Sequence, residues 1–128
     1  MNVNARLDEQ VQTVVAAAGL LLTSTLGDTT YVSMKNFARA RITIVIADGT
    51  TVTGSAITLK QATAIAGTSE KALAFTRMLA NTDYAASKTM VETAVTSNTF
   101  TTQTENSKDS VYIIDVDASD LDIAGGFD

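Results

Sequence analysis

Residues 39–63 read RARITIVIADGTTVTGSAITLKQAT, and the fold class turns on how this stretch is interpreted. Ile42, Ile44 and Ile46 recur at period two with Thr43 and Val45 between them, the pattern of a strand with one buried face. Asp48-Gly49 follows, the dipeptide that most readily supplies positive φ to a two-residue hairpin turn. Ile57 and Leu59 then alternate with Thr58 and Lys60, as in a returning strand with one wet face. The stretch therefore predicts a hairpin whose isoleucines enter the core. Its turn, Asp48, Gly49, Thr50 and Thr51, projects at one end as a candidate contact surface.

Working outward from the hairpin, the rest of the chain is short-period and turn-punctuated. Met1–Gln10 is polar with both charge signs and reads as an exposed N-terminal arm. Val11–Leu22 reads as a strand broken at Gly19, with a helix as the alternative because Ala16-Ala17-Ala18 favours one. Tyr31–Met34 is a short strand on this reading, and Lys35-Asn36 the bend after it. For EKALAFTRMLA, residues 70–80, a strand is preferred to a helix capped at Thr68 or Ser69. Asn81–Lys88 is then a loop, Thr89–Ala94 and Val95–Thr102 a strand pair, and Val111–Val116 a strand. Several short strands at such spacing predict an all-β chain, an antiparallel β-sandwich or jelly-roll. Abundant threonine between aliphatics suits half-exposed sheets, because its methyl packs while its hydroxyl stays wet. At 128 residues the sandwich is expected as one domain over residues 11–128, preceded by the arm at 1–10.

Composition narrows the chemistry. The chain has no cysteine and no histidine. Disulfide frameworks, thiolate ligands, thiol nucleophiles and Ser-His-Asp triads are therefore excluded. Neither a Gly-x-Ser-x-Gly elbow nor a glycine-rich phosphate loop occurs, so an enzyme is not expected and no cofactor is implied. A net charge of −5 argues against gripping a nucleic-acid backbone. Lys35, Arg39 and Arg41 lie close together in the chain and could form a local basic patch. The most apolar run, Val14–Leu22, is too short to span a bilayer, and the start lacks the pattern of a secretory signal. Residence in the cytoplasm, or in a particle assembled there, is the expectation.

The sharpest polar constellation is Asp115, Asp117, Asp120 and Asp122 in DVDASDLD. Four carboxylates at a strand end would hold calcium if main-chain carbonyls completed the shell. The spacing is not that of an EF-hand, since Asp120 stands where the turn glycine belongs and Gly126 where the closing glutamate belongs. The competing expectation is that Asp115 and Asp117 face solvent while Asp120 and Asp122 begin a turn.

Four blocks, YVSMKNFARARITIVIADG, ITLKQATAIAGTSEKALAF, AVTSNTFTT and VYIIDVDASDLDIAGGFD, resemble a group of small virion structural proteins of tailed bacteriophages and prophages. The resemblance implies an all-β virion component, above all a capsid decoration, or cement, protein on the head surface. Its implied partners are the major capsid protein and its own copies, in a homo-oligomer such as a trimer. In that group the pattern continues beyond a GFD-like ending with a further strand, which implies a closing strand either missing here or supplied by a neighbour. Two alternatives stand beside it: a neck or tail component such as a head-tail connector or tube protein, and a calcium-assisted carbohydrate- or receptor-binding β-sandwich.

Overall fold

The computed structural model describes Gln12, Val14, residues 29–47 and residues 49–127. The expected arm at Met1–Gln10, all but two residues of the strand expected over Val11–Leu22, and Asp48 lie outside these residues. The described elements are eight strands, β1 (Arg39–Ile46), β2 (Ala56–Thr58), β3 (Lys60–Gln61), β4 (Lys71–Ala72), β5 (Arg77–Asn81), β6 (Val91–Ala94), β7 (Thr99–Thr101) and β8 (Ser110–Asp117). Two short 3-10 turns follow, Ala118–Asp120 and Ile123–Gly125. All strand pairings among the described residues are antiparallel, so the described residues are all-β as the threonine-rich alternation predicts.

The main sheet has the order β1-β8-β5-β6. β8 sits at its centre because its alternation is complete: Ser110, Tyr112, Ile114 and Val116 are buried, while Val111, Ile113, Asp115 and Asp117 point to the other side. Its register with β1 sets Ile46 against Ser110, Ile44 against Tyr112, Ile42 against Ile114 and Ala40 against Val116. These rows make one apolar face, which β5 extends with Met78 and Ala80.

The predicted hairpin does not form. β1 pairs with β8, not with residues 56–60, and residues 49–55 contain no strand. A two-residue turn at Asp48-Gly49 would set Ile46, Ile44 and Ile42 opposite Thr51, Thr53 and Ser55. Burying those polar groups beside the isoleucines would cost more than the turn preference returns. β8 instead supplies Tyr112 and Ile114 at those positions.

Residues 56–61 are nevertheless extended, as predicted, but they serve two other partners. Ala56–Thr58 pairs with β7 and Lys60–Gln61 with β4. Leu59, buried between them, donates its N–H to Asn98 O (2.8 Å) and accepts from Leu73 N (3.2 Å) and Asn98 Nδ2 (3.0 Å). Residue 59 thus stitches two small sheets together. Three rings then join them to the main sheet. Phe75 meets Phe100 edge-on at 6.3 Å, and Phe100 meets Tyr112 at 5.1 Å, within the range where aromatic pairs add to burial.

Three further expectations are corrected. Tyr31–Met34 is irregular rather than a strand, although Lys35-Asn36 does turn, with Asn36 at φ +72°. Thr89–Ala94 and Val95–Thr102 do not pair with each other, since β6 joins β5 and β7 joins β2. The bend at Ser97-Asn98 carries the chain from one sheet to the other, held by the Asn98 side chain on Leu59. Residues 70–80 form no helix, but their alternation slips once. Leu73 and Phe75 are buried, then Met78 and Ala80, so the chain shifts phase between Phe75 and Met78 as it passes into the main sheet.

Two substitutions test this packing. Ile44→Asp places an unpaired carboxylate beside Tyr112, and no cooperative thermal transition is expected by circular dichroism; a folded Ile44→Asp protein would show that the inward face is misassigned. Tyr112 is 2% exposed and its hydroxyl accepts from Gln103 N at 2.7 Å. Tyr112→Phe is expected to lose about 1–2 kcal/mol in urea melts with an unchanged slope.

Candidate interaction surface

Alternation along β8 fixes what the outer face of the main sheet presents. Arg39 and Arg41 on β1 pair in register with Asp117 and Asp115 on β8. Arg41 Nε and Nη2 bond Asp115 Oδ1 and Oδ2 at 2.7 and 2.9 Å, a bidentate fork, and Arg39 Nε bonds Asp117 Oδ1 at 2.8 Å. On the other side of β8, Arg77 of β5 holds Glu92 of β6 at 2.9 Å. Next to these ion pairs lies an aliphatic band of Val45, Val111, Ile113 and Leu79, with Val45 66% exposed. Where Arg77, Leu79, Glu92, Ile113 and Asp115 meet there is a depression of about 60 Å³. That is well below the roughly 300 Å³ at which small-molecule pockets begin.

The ion pairs also set the titration of this face. The Arg41 hydrogen bond, ahead of the opposing effect of burial, holds the Asp115 carboxyl below its ordinary range. Asp117 and Asp115 in turn raise Arg39 and Arg41, chiefly through the same hydrogen bonds. The expected basic patch of Lys35, Arg39 and Arg41 is accordingly not a positive surface, because two of its three charges are matched across the strand pair.

The four aspartates are dispersed rather than gathered. Asp115 and Asp117 take the outer face of β8, as the solvent-facing alternative predicts. Asp120 Oδ2 accepts from Asp117 N at 3.0 Å and closes the first 3-10 turn. Asp122 opens the second turn, where its Oδ1 accepts from Gly125 N at 3.0 Å and its Oδ2 bonds Lys71. Those two contacts, the lysine first, lower the Asp122 carboxyl. Among the described residues no cluster of three or more potential ligands could hold a metal ion. Buried Phe127 lies under the Lys71 ammonium at 4.6 Å, and Asp122 N donates to Gln61 Oε1 at 2.9 Å. The acidic segment therefore fastens the chain to β3 and β4.

Gly49, Thr50 and Thr51 are exposed but do not cap a hairpin. Gly49 O accepts from Ser107 N at 2.9 Å and Val52 N donates to Asn106 Oδ1 at 2.8 Å. The two connections brace each other, with Gly54 in the left-handed region at φ +73° against Thr102 and Thr104. Sequence reasoning found the acidic residues and missed their partners. Arg77 and Glu92 carried no signal, since their pairing depends on β5 meeting β6.

No helix among the described residues is long and apolar enough to cross a membrane. No protein-family model, no curated protein and no solved structure matches the chain.

Arg41→Gln is expected to lower stability only slightly near neutral pH, because the arginine is largely exposed. The sign follows from the lowered Asp115. Its contribution is present above the unfolded carboxylate value near 3.9 and is lost as pH falls through the folded value. Melting temperatures of the two proteins should therefore converge as pH falls through the folded Asp115 value. Carboxyl-carbon NMR titration should show Asp115 moving up in Arg41→Gln, and an unmoved Asp115 would reject the pairing.

Proposed function

We propose that this chain is a structural protein of a tailed-phage virion, a capsid decoration protein that stabilises the head by contacts with the major capsid protein. The observation carrying this reading is the outer face of the β1-β8-β5-β6 sheet: an aliphatic band beside ion pairs, broad and shallow, shaped for a protein surface. The resemblance of its four sequence blocks to small virion proteins supports the same role. We read the architecture as an irregular sandwich, with the β2-β7 and β3-β4 pairs joined through Phe75, Phe100 and Tyr112 to the inner face of the main sheet. A cement protein of this kind acts by area and repetition. Individually modest contacts, multiplied over a symmetric shell, give avidity without a strong single site.

Particles assembled without the protein should lack surface density in cryo-electron maps and should release DNA at a lower temperature than complete particles. Adding the purified protein back should restore both. Copy number in purified virions separates this role from a neck or tail component: hundreds of copies are expected, and about a dozen would point to a ring at the neck. Shells that bind none of the protein and melt unchanged would reject the proposal.

A further inference from the structure

Across the four strands of the main sheet the outer-face charges run Arg41 on β1, Asp115 on β8, Arg77 on β5 and Glu92 on β6. Arg41 and Asp115 are directly opposed in the register. β5 pairs with β8 as far as Leu79↔Ile113, and beyond that pair Arg77 and Asp115 line one shallow depression on this face. Glu92 pairs with Leu79 and sits one pleat along, reached by the Arg77 side chain. The signs are therefore plus, minus, plus, minus.

That order changes sign when it is reversed. A two-fold axis parallel to the strands, passing between β8 and β5, lays β1 of one copy over β6 of the other and β8 over β5. Asp115 then faces Arg77 of the second copy, Arg41 approaches its Glu92 edge, and Ile113 meets Leu79. Both members of each contact recur through the symmetry, as an isologous interface requires.

From this antisymmetric charge order we infer that the outer face of the β1-β8-β5-β6 sheet is a self-complementary interface that binds a second copy of this chain. The chain's net charge of −5 opposes association in general. The six charged side chains of this face, Arg39, Arg41, Arg77, Glu92, Asp115 and Asp117, sum to zero and remove that opposition here. Four strands about 4.8 Å apart and about 20 Å long give a patch of roughly 400 Å² per copy. The total of roughly 800 Å² lies at the weak end of specific association, so the dissociation constant belongs in the range of about 10⁻⁵–10⁻³ M. Self-association through this face goes beyond the virion role and competes with any capsid contact made through it; it is measured without any particle, so either can fail alone.

Sedimentation equilibrium of the whole chain up to about 1 mM should show a monomer–dimer equilibrium. Asp115→Arg and Arg77→Asp, each folded by circular dichroism, should weaken it at least about tenfold, since each homodimer then carries two like-charge contacts. A one-to-one mixture of the two variants should regain the dimer, because the heterodimer restores an arginine opposite an aspartate at both positions. Instability within one chain cannot be rescued by mixing. Should either reversal fail to fold, Leu79→Cys mixed with Ile113→Cys, in a chain otherwise free of cysteine, should oxidise mainly to the mixed disulfide dimer. A wild-type protein monomeric throughout, a mixture no more dimeric than its parts, or random disulfide pairing would each overturn the inference.

Discussion

The two-sided pairing of β8 is the constraint on which the rest of the structure depends. Ser110–Asp117 pairs with β1 along its whole length and Val111–Ile113 pairs with β5 on the other edge, while strand alternation gives its two faces opposite characters. Tyr112, Ile114 and Val116 cannot leave the core without exposing nearly all their apolar surface, since none is more than 3% exposed. Asp115 and Asp117 are thereby forced to the outside at fixed spacing. A slip of one residue would bury both carboxylates and expose the isoleucine and tyrosine. The arginines of β1 reinforce the same register from the outer face, because Arg39 and Arg41 meet their carboxylates only in the observed alignment.

From that strand the core is continued by single residues placed where sheets meet. Tyr112 carries the contact to Phe100, and Phe100 to Phe75, so three distant segments share one aromatic cluster. Leu59 does the same for the backbone, closing a ladder between β2 and β3 with bonds to Asn98 and Leu73. Such a chain of long-range contacts favours slow, cooperative folding over local nucleation. Short strands are viable here because each is fixed by a side chain at the crossing rather than by its own length.

What was legible in the sequence was periodicity, and what was not was partnership. The alternation of Ile42, Ile44 and Ile46 correctly gave the buried face of β1, and Val111–Val116 was recognised as a strand. The all-β class followed from both. Asp48-Gly49 misled because a local turn preference of a few tenths to one kcal/mol competes with the burial of several large side chains worth about 1.5–3 kcal/mol each. Only the distant residues Tyr112 and Ile114 reveal that competition. The aspartates behaved similarly: their solvent-facing alternation was readable, but Arg41, Arg39 and Lys71 lie at least fifty positions away in the chain. Cross-strand ion pairs are tertiary facts, invisible to spacing.

Pairing within the chain does not exhaust these arginines. The Arg41 fork uses Nε and one Nη2 hydrogen on Asp115, and Arg77 uses Nη1 on Glu92. Each guanidinium has five N–H donors, so each keeps hydrogens outside its own pair. A long side chain already held in one geometry loses little further rotamer freedom when a second protein approaches. The same bonds that add little to the stability of an exposed sheet therefore lower the entropic cost of contact. Under the proposed self-association, these intrachain bonds would hold the outer-face arginines ready for a second copy.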